Sequence, residues 1–342
     1  MNNKLRVGIV GCGNIFPMHA APVMDMDGCE LVAVCDIKPE VAQQRARECV
    51  CAYYTDYREM IEAERLDVVH ICTPHYLHAP IAIFAAQHGV HILTEKPMSI
   101  RYEDAVEMIE TAKACGVTLG VIFQNRYNPG SVLIKNTLES GMLGRIYSAK
   151  MSVTWDRSDD YYKKSDWKGT WDKEGGGVII DQAIHTLDLM RWFIGGEIEY
   201  VDASIANRAH SYIEVEDSTE GVIKYQNGIV ASFYTVNYYT YDAPVELELH
   251  CQKGIAKMVG DKATITFTDG RQMIADRNPE DTFNYGGGKQ YWGVSHVKQI
   301  ANFYQALKNG TQPEISGEEA LLTQKIVCAI YDSGKLGKRI LF

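Results

Sequence analysis

The chain has 342 residues, 46% of them hydrophobic and 23% charged, a composition typical of folded globular proteins. Its length favours two domains, because a single hydrophobic core rarely grows beyond roughly 250 to 300 residues. The net charge of −10 at pH 7 argues against a protein that binds a nucleic-acid backbone. The sequence contains neither an apolar stretch of membrane-helix length nor a hydrophobic signal segment. We therefore expect a cytoplasmic protein with neither nucleic-acid nor membrane partners.

The first 122 residues alternate short β-branched runs with segments of helical periodicity. The runs are continuously apolar rather than alternating, as in strands that are buried on both faces of a parallel sheet. Right-handed helical crossovers join such strands. The runs are LRVGIVG, LVAVCD, VVHICT, VHILTE and VTLGVI, and YEDAVEMIETAKACG is one of the helical segments.

After about Asn125 the later β-type runs follow one another with only turns between them, which predicts antiparallel pairing. The sequence Gln226-Asn227-Gly228 fits a tight hairpin turn. Helical periodicity predicts helices over 178–194, 295–309 and 317–333. The two halves therefore differ in architecture, with the change near residue 124.

The nine cysteines are scattered and contain no CxxC pair, so we predict no disulfide framework. Several, such as Cys35 and Cys72, lie in apolar runs, where a reduced thiol behaves as a small hydrophobic side chain. We also predict no metal site. Three histidines lie close together at 70, 75 and 78, but their spacing matches no tetrahedral ligand set.

The segment GIVGCGNIF follows the first strand and opens a helix, where dinucleotide folds place a glycine fingerprint. Gly11 suits the tight turn, and Gly13 lets backbone amides at the helix N-terminus approach a pyrophosphate. Asn14 and Ile15 belong to the same turn. Phe16 stands at the third position, which normally needs a small residue, so we expect the helix to be displaced or to begin at a different angle.

Asp36 ends the second strand 23 residues after Gly13, where an acidic residue hydrogen-bonds the ribose diol in dinucleotide folds. The alternative is that Asp36 only caps the helix that begins near Pro39. A carboxylate here favours NAD because it repels a 2′-phosphate. Lys38 weakens that preference and leaves NADP possible.

Two further motifs contain residue types suited to chemistry. Lys96, in the triplet Glu95-Lys96-Pro97, follows the strand VHILTE, and ligands bind at the carboxyl ends of such strands. The segment GGGVIIDQAIH leads from a glycine cluster into a helix and places Asp181 and His185 four residues apart on one face. The alternative is an ordinary surface pair at 181 and 185 with a solvated charge at 96.

Taken together, these motifs resemble the Gfo/Idh/MocA oxidoreductase family over essentially the whole chain. Other segments that carry the resemblance are Thr73-Pro74 before His78, Trp292-x3-His296, and the closing Ala329-Ile330-Tyr331-Asp332-Ser333. The resemblance implies an α/β protein with an N-terminal Rossmann dinucleotide-binding domain at 1–124. An α/β domain with a large, open, mostly antiparallel sheet would follow at 125–342, and its last helix is free to pack back on the Rossmann domain. It also implies a homodimer or homotetramer.

By the same resemblance, Lys96, Asp181 and His185 take the catalytic positions. A histidine suits the task of accepting a hydroxyl proton, because its pKa lies near the working pH. Lys96 would stabilise alkoxide-like charge, and Asp181 would orient His185 or hold a neighbouring hydroxyl. The family also implies a cis bond between Lys96 and Pro97.

The remaining site residues are expected at strand ends and in the segment WDRSDDYYKKSDWKGTWDKEGGG, which is charged and nonperiodic. We interpret this segment as a loop that carries aromatic side chains toward a sugar, although aromatic residues are more commonly core. The predicted substrate-binding residues are Arg126, Tyr127, Trp155, Arg157, Trp167, Lys168 and His296. The predicted cofactor-binding residues are Gly11, Gly13, Asn14, Ile15, Asp36, Lys38, Thr73, Pro74, His75, His78, Glu95, Lys96 and Gln124.

Three functions are compatible with these residues. The favoured one is an NAD(P)-dependent dehydrogenase or reductase that acts on a hydroxyl or keto group of a sugar, sugar derivative or inositol. The second is a glycoside-cleaving enzyme in which NAD transiently oxidises a hydroxyl and an elimination follows. The third is a non-catalytic dinucleotide-binding regulator, which would not need Lys96, Asp181 and His185 together.

Overall fold

The computed structural model describes residues 4–278, 283–285 and 295–342, so Trp292 lies outside the described residues. The chain divides into two compact units. The first comprises Met1–Gln124 and Thr282–Leu322, and the second comprises Asn125–Asp281 and Thr323–Phe342. The segment from 282 to 322, which the predicted boundary assigns to the second domain, therefore groups with the first unit. Within the described ranges, no helix is long and apolar enough to cross a bilayer.

The strands are short, and most follow the apolar runs of the sequence. They are β1 (Leu5–Val10), β2 (Cys29–Cys35), β3 (Ala52–Tyr54), β4 (Val68–Ile71), β5 (His91–Thr94), β6 (Leu119–Val121), β7 (Ile146–Thr154), β8 (Ile198–Ala206), β9 (Ser218–Tyr225), β10 (Val230–Val236), β11 (Glu246–Cys251), β12 (Gly254–Val259), β13 (Lys262–Phe267), β14 (Gln272–Ala275) and β15 (Ile340–Leu341).

The helices connect and cover these strands. They are α1 (Phe16–Asp25), α2 (Pro39–Cys49), α3 (Tyr57–Glu64), α4 (His78–Gln87), α5 (Tyr102–Cys115), α6 (Pro129–Glu139), α7 (Asp159–Lys163), α8 (Ile184–Ile194), α9 (His296–Asn309) and α10 (Gly317–Leu336). Single 3₁₀ turns lie at His75–Leu77 and Gln124–Tyr127, and a π-helical turn spans Val178–Gln182.

The first unit contains a six-stranded sheet with the order β3-β2-β1-β4-β5-β6, and its strand pairs are all parallel. This confirms the predicted Rossmann architecture, in which the order reverses next to β1. The three-residue strand β3 was not among the predicted runs, because a segment this short shows no periodicity. Helix α9 contributes Ile300 and Phe303 to the same hydrophobic core as Val7 and Ile9 of β1.

The second unit contains a nine-stranded sheet with the order β14-β13-β12-β11-β7-β10-β9-β8-β15. Strands β10 and β7 pair in parallel and the other pairs are antiparallel, so the mostly antiparallel prediction is confirmed. The predicted hairpin joins β9 to β10, and the Tyr225 amide donates to the Ile229 carbonyl across it. Alternation along β10 buries Ala231 and Phe233 and exposes Val230 and Tyr234.

The predicted helix over 178–194 begins as a π-helical turn and becomes α-helical only at Ile184. The buried carboxylate of Glu216 explains this start, because it accepts the amides of Gly177 at 2.8 Å and Ile179 at 3.2 Å. Gly176 has φ of +153°, and a Cβ there would lie 1.8 Å from the Tyr331 hydroxyl oxygen. The glycine cluster is therefore the surface on which Glu216 and Tyr331 pack.

A buried ion pair ties the start of the second unit to α8. Arg126 donates twice to Asp188, at 2.7 and 2.6 Å, and both side chains are almost fully buried. The Thr323 hydroxyl donates to the same carboxylate at 2.7 Å. Burial alone would raise the pKa of Asp188, but Arg126 outweighs it and holds the pKa below its usual range.

We expect Asp188→Ala to lower the free energy of unfolding by about 3–5 kcal/mol, because it leaves the Arg126 guanidinium buried without its partner. Urea unfolding followed by circular dichroism measures this loss. Asp160→Ala is the matched control, since the Lys164–Asp160 pair is more than two-thirds exposed on both sides. The control should change stability by less than about 0.5 kcal/mol. Equal losses in the two variants would show that the buried pair has no special structural role.

Candidate functional site

The turn between β1 and α1 has the geometry that the glycine fingerprint predicts. Gly11 has φ of +96°, and a Cβ there would lie 2.4 Å from the Cys72 carbonyl oxygen, so only glycine fits. No described atom lies within 4 Å of where a Cβ would stand at Gly13, which leaves open space beside the turn. Helix α1 begins at Phe16, which is buried in the core, and its N-cap Ile15 supplies no side-chain cap. The first backbone amides of α1 therefore receive no hydrogen bond acceptor from the Ile15 side chain.

Asp36 lies directly beside this glycine turn. Its Oδ2 accepts the Cys12 amide at 3.0 Å, and its Oδ1 accepts the Lys38 amide at 2.9 Å. The N-cap of α2 is Lys38 and not Asp36, so the carboxylate orders the end of β2 rather than capping the helix in the usual way. The carboxylate is thus held in one orientation next to Gly11.

His78 braces the ends of β4 and β5. The ring is fully buried, with Nδ1 2.7 Å from the Pro97 carbonyl oxygen and Nε2 2.9 Å from the Thr73 carbonyl oxygen. Burial lowers the pKa of His78. His75, in the 3₁₀ turn that follows Pro74, is also buried. His78 thus holds together the segments that follow β4 and β5, both of which contain predicted cofactor-binding residues.

The Lys96-Pro97 peptide bond is cis, which confirms that prediction. Glu95, immediately before Lys96, is the centre of a buried polar network. Its Oε1 lies 2.9 Å from Nε2 of His19 and 2.9 Å from Nε2 of His296. Burial alone would raise the pKa of Glu95, but the two histidine hydrogen bonds hold it well below its usual range.

The network continues through His19. Nδ1 of His19 lies 2.9 Å from Nδ1 of His70, and Nε2 of His70 lies 2.9 Å from the Tyr304 hydroxyl. The donor atoms of His19, Glu95 and His296 lie within 4.8 Å of one another, close enough to share a metal ion. One set of neutral tautomers accounts for all four contacts without an ion. Tyr304 can donate to His70 and His70 to His19, while His19 and His296 can each donate to Glu95. His296 is predicted to bind substrate, and in the structure it lies in this network of the first unit.

In the second unit, Asp181 accepts three hydrogen bonds on one oxygen. Oδ2 lies 2.6 Å from the Tyr161 hydroxyl, 2.7 Å from Lys168 Nζ and 2.7 Å from Gln182 Nε2. Lys168 Nζ also donates to the Tyr161 oxygen at 2.6 Å. Lys168 was predicted to bind substrate, but its ammonium is committed to the carboxylate at 181.

His185 lies in the first turn of α8, four residues after Asp181. Between residues 178 and 191, Asp181 and His185 are partly exposed and the others are buried. A buried stretch that leaves two polar side chains partly exposed is suited to present them to a ligand. The prediction of a shared face assumed one α-helix, whereas a π-helical turn carries Asp181 and α8 carries His185.

Two buried carboxyls near this pair were missed by sequence analysis. Glu174 accepts the Gly169 amide, and its other oxygen lies 3.6 Å from Lys168 Nζ. Burial raises the pKa of Glu174 to about 8, although Lys168 opposes the rise. Burial also raises the pKa of Glu216 to about 7. No local motif marks Glu216, because its partners Gly177, Ile179 and Tyr331 lie 37 to 115 positions away. Glu174 contacts Lys168 and Gly169 within its own loop, but no recognised motif contains these residues.

The predicted aromatic loop contains the short helix α7 and is fastened by several of its own side chains. Trp155 Nε1 donates to the Ala243 carbonyl at 3.0 Å, and Arg157 donates to Asp242 at 2.8 Å. The Arg157 guanidinium also lies over the Trp155 ring at 4.8 Å from its centroid. These contacts are structural, so a substrate role for Trp155 and Arg157 stays a prediction.

Three further predicted residues lie in the 3₁₀ turn that follows β6, and a fourth, Trp167, lies in the charged loop. Gln124 and Tyr127 begin and end a 3₁₀ turn, and Arg126 within it is committed to Asp188. Trp167 lies beside Lys168, with the ammonium 4.4 Å from its ring centroid. The structure thus assigns Arg126 a packing role and leaves Trp167 beside the Asp181 cluster.

Comparison with known proteins gives matches in both units. Residues 5–123 match an oxidoreductase family with an NAD-binding Rossmann fold, and residues 132–257 match the Gfo/Idh/MocA C-terminal domain. The D-glucoside 3-dehydrogenase of Escherichia coli is 27% identical, with 99% of this chain and 98% of that protein covered. The myo-inositol 2-dehydrogenase of Thermotoga maritima is 24% identical, with 92% of each covered.

A solved structure is similar over almost the whole chain. The WlbA dehydrogenase of Bordetella pertussis, in complex with NADH and UDP-GlcNAcA, superposes with a TM-score of 0.87 at 31% identity. The match covers 99% of this chain and 98% of that one.

The position of Asp36 generates a test of cofactor choice. We expect Asp36→Ala to weaken NAD binding by about 10- to 100-fold, the usual effect of losing a charged hydrogen bond, and to weaken NADP binding less. Isothermal titration with both dinucleotides measures the ratio. Asp27→Ala, at an exposed carboxylate of the same unit, is the control. An unchanged NAD/NADP ratio would remove Asp36 from the site.

Proposed function

Because this chain belongs to the Gfo/Idh/MocA family of NAD-dependent oxidoreductases, we propose that it exchanges hydride between NAD and a secondary hydroxyl of a sugar, sugar derivative or inositol. It is an oxidoreductase, like its relatives that are named for myo-inositol and for D-glucosides. The observation that carries the proposal is the pair Asp181 and His185, whose side chains are both partly exposed on an otherwise buried stretch.

The first unit fits NAD. Gly11 lies in a turn that has no room for a side chain, and open space lies beside Gly13. The Asp36 carboxylate accepts the amide of the residue between these two glycines. These are the features that receive a pyrophosphate and a ribose diol in dinucleotide folds. The unsubstituted ribose of NAD suits the anionic Asp36 better than the phosphorylated ribose of NADP does.

We assign the chemical roles as follows. NAD, when bound, supplies the ring that accepts hydride. His185 takes the proton from the substrate hydroxyl, and the Asp181 carboxylate stabilises the imidazolium that results. Lys96 donates a hydrogen bond to the substrate oxygen and stabilises the negative charge that develops there.

The proposal is tested by mixing the protein with NAD and a panel of myo-inositol, free sugars, methyl glucosides and aryl glycosides. We expect NADH to accumulate in stoichiometric amounts with one class of polyol. Aglycone released without net NADH would indicate the glycoside-cleaving alternative instead. Dinucleotide binding without either product on any member of the panel would favour the non-catalytic regulator.

We expect His185→Ala to lower kcat by about 10² to 10⁴-fold, the usual contribution of a positioned base, and to leave NAD affinity nearly unchanged. Wild-type kcat should fall at low pH as the imidazole becomes protonated. His88→Ala, at an exposed histidine of α4's C-terminal end, is the control. If His185→Ala keeps most of its activity across pH, another group is the base.

We further propose that the protein is a homodimer or homotetramer in the cytoplasm. One face of the second sheet exposes apolar side chains that include Val230 and Tyr234 on β10, Ile255 and Val259 on β12, and Ile274 on β14. Between them lies a row of paired charges, Lys150, Glu248 and Lys257. A face with both apolar and self-complementary charged groups suits a twofold interface. The nine cysteines are free thiols, as expected in a reducing compartment.

Light scattering coupled to size-exclusion chromatography measures the assembly. We expect a dimer or tetramer for the native chain and a smaller species for Tyr234→Glu, which places an unpaired charge on this face. Tyr53→Glu, at an exposed tyrosine of β3, is the matched control. A monomeric native chain would overturn this part of the proposal.

A further inference from the structure

The ammonium of Lys168 lies where three acceptors meet. It is 2.7 Å from Asp181 Oδ2, 2.6 Å from the Tyr161 oxygen and 3.6 Å from Glu174 Oε1. The first two contacts are hydrogen bonds that use two of the three N–H donors of the ammonium, and the third is an ion pair without a hydrogen bond. The ammonium is therefore held by Asp181 and Tyr161 and attracted by Glu174.

Burial strengthens the electrostatic attraction between Lys168 and these carboxylates. The Lys168 side chain is 16% exposed, that of Asp181 is 10% exposed, and that of Glu174 is fully buried. Two charges removed from water attract each other far more strongly than an exposed pair does. Burial alone would lower the pKa of Lys168, but the Asp181 carboxylate and its neighbours raise it above its usual range, so the lysine stays charged.

Glu174 fixes the loop that carries the lysine. One of its oxygens accepts the amide of Gly169, the residue directly after Lys168. The Ser165 hydroxyl accepts the Lys168 amide at 3.2 Å, and the Thr170 hydroxyl donates to the Trp167 carbonyl at 2.8 Å. The backbone on both sides of Lys168 is thereby held, and the ammonium is held with it.

We propose that Lys168 is a positioning residue that keeps the Asp181 carboxylate anionic and oriented, and that Glu174 holds Lys168 in place for this task. The inference rests on the proposed function, because it concerns the carboxylate that supports His185. An anionic Asp181 stabilises the imidazolium that forms when His185 accepts a proton, whereas a protonated carboxyl does not. Tyr161 and Gln182 complete the arrangement by donating to the same oxygen.

The charged groups around Lys168 give the direction of the expected pH effect. Asp181 and Glu174 are its carboxyl neighbours, and Tyr161 is a neutral phenol whose pKa is raised, first by burial and then by Asp181. Removing the cation leaves the buried carboxylate at 181 without its neutralising partner. Its protonation then becomes easier, so its pKa moves upward.

The experiment compares Lys168→Met with Lys164→Met in the full-length protein. Lys164 lies in the same loop, pairs with Asp160 and is 77% exposed. With the polyol that the panel identifies, we expect Lys168→Met to lower kcat by roughly 10- to 100-fold and to shift the acid limb of the kcat profile to higher pH. The KM for NAD should not change, and Lys164→Met should behave as wild type.

A second readout needs no turnover. Carbon-13 NMR of labelled aspartate carboxyls, with the Asp181 signal assigned through Asp181→Asn, follows the titration of this group directly. We expect the signal to titrate at higher pH in Lys168→Met than in wild type. Lys168→Arg keeps a cation and should restore the wild-type titration, and it serves as the test if the methionine variant does not fold.

The outcomes separate this inference from the proposed function. The double variant Lys168→Met/Asp181→Asn should have a kcat no lower than that of Asp181→Asn alone, because the lysine acts through that carboxylate. If Lys168→Met leaves the Asp181 titration unchanged and raises only the KM for the polyol, Lys168 is a substrate ligand and the inference is overturned. If Asp181→Asn keeps full activity, it is the proposed catalytic role of Asp181 that fails.

Discussion

The buried carboxylates of this chain each need donors, and the structure around the candidate site is organised by how those donors are supplied. An ionised carboxylate taken out of water costs several kcal/mol unless hydrogen bonds or a cation replace its hydration. Glu95 accepts hydrogen bonds from two histidine rings, and Asp188 accepts two from one arginine. Glu216 accepts hydrogen bonds from two backbone amides and a tyrosine hydroxyl. Each solution draws together segments that are far apart in the sequence.

The kind of donor decides which of these groups carries a charge. Asp188, which has a guanidinium partner, and Glu95, which has imidazole partners, have pKa values below their usual range. Glu216, for which burial outweighs its amide and hydroxyl donors, and Glu174, for which burial outweighs one lysine, have pKa values near 7 and 8. Glu216 and Glu174 bind protons more tightly in the folded chain than in the unfolded chain. Their contribution to the free energy of unfolding therefore decreases as the pH rises toward those values. The second unit thus keeps permanent charges and proton-holding carboxyls close together.

Patterns within a single segment of sequence predicted the fold well. Continuous apolar runs predicted the parallel strands, and the spacing to Asp36 placed a carboxylate beside the glycine turn. The strand β3 was missed because three residues show no period, and β8, β14 and β15 were also not among the predicted runs.

The polar partners of the site were beyond the reach of the same reasoning. His296 contacts Glu95 across 201 positions, and Tyr331 contacts Glu216 across 115, so nothing local marks either pair. The aromatic loop looked free to meet a sugar because its charges show no period. In the folded protein Arg157 and Lys168 are instead matched with acidic partners, which only the fold brings near.

The contact between Gly176 and Tyr331 constrains how homologous sequences diverge. A side chain at 176 would occupy the place of the tyrosine hydroxyl, and that hydroxyl donates to Glu216 at 3.1 Å. A lineage that replaces the glycine must therefore shorten the residue at 331, and it then loses a donor to the carboxylate at 216. The three positions are bound to covary, although they are separated by up to 155 residues of chain. An alignment of close relatives should record them changing together or not at all.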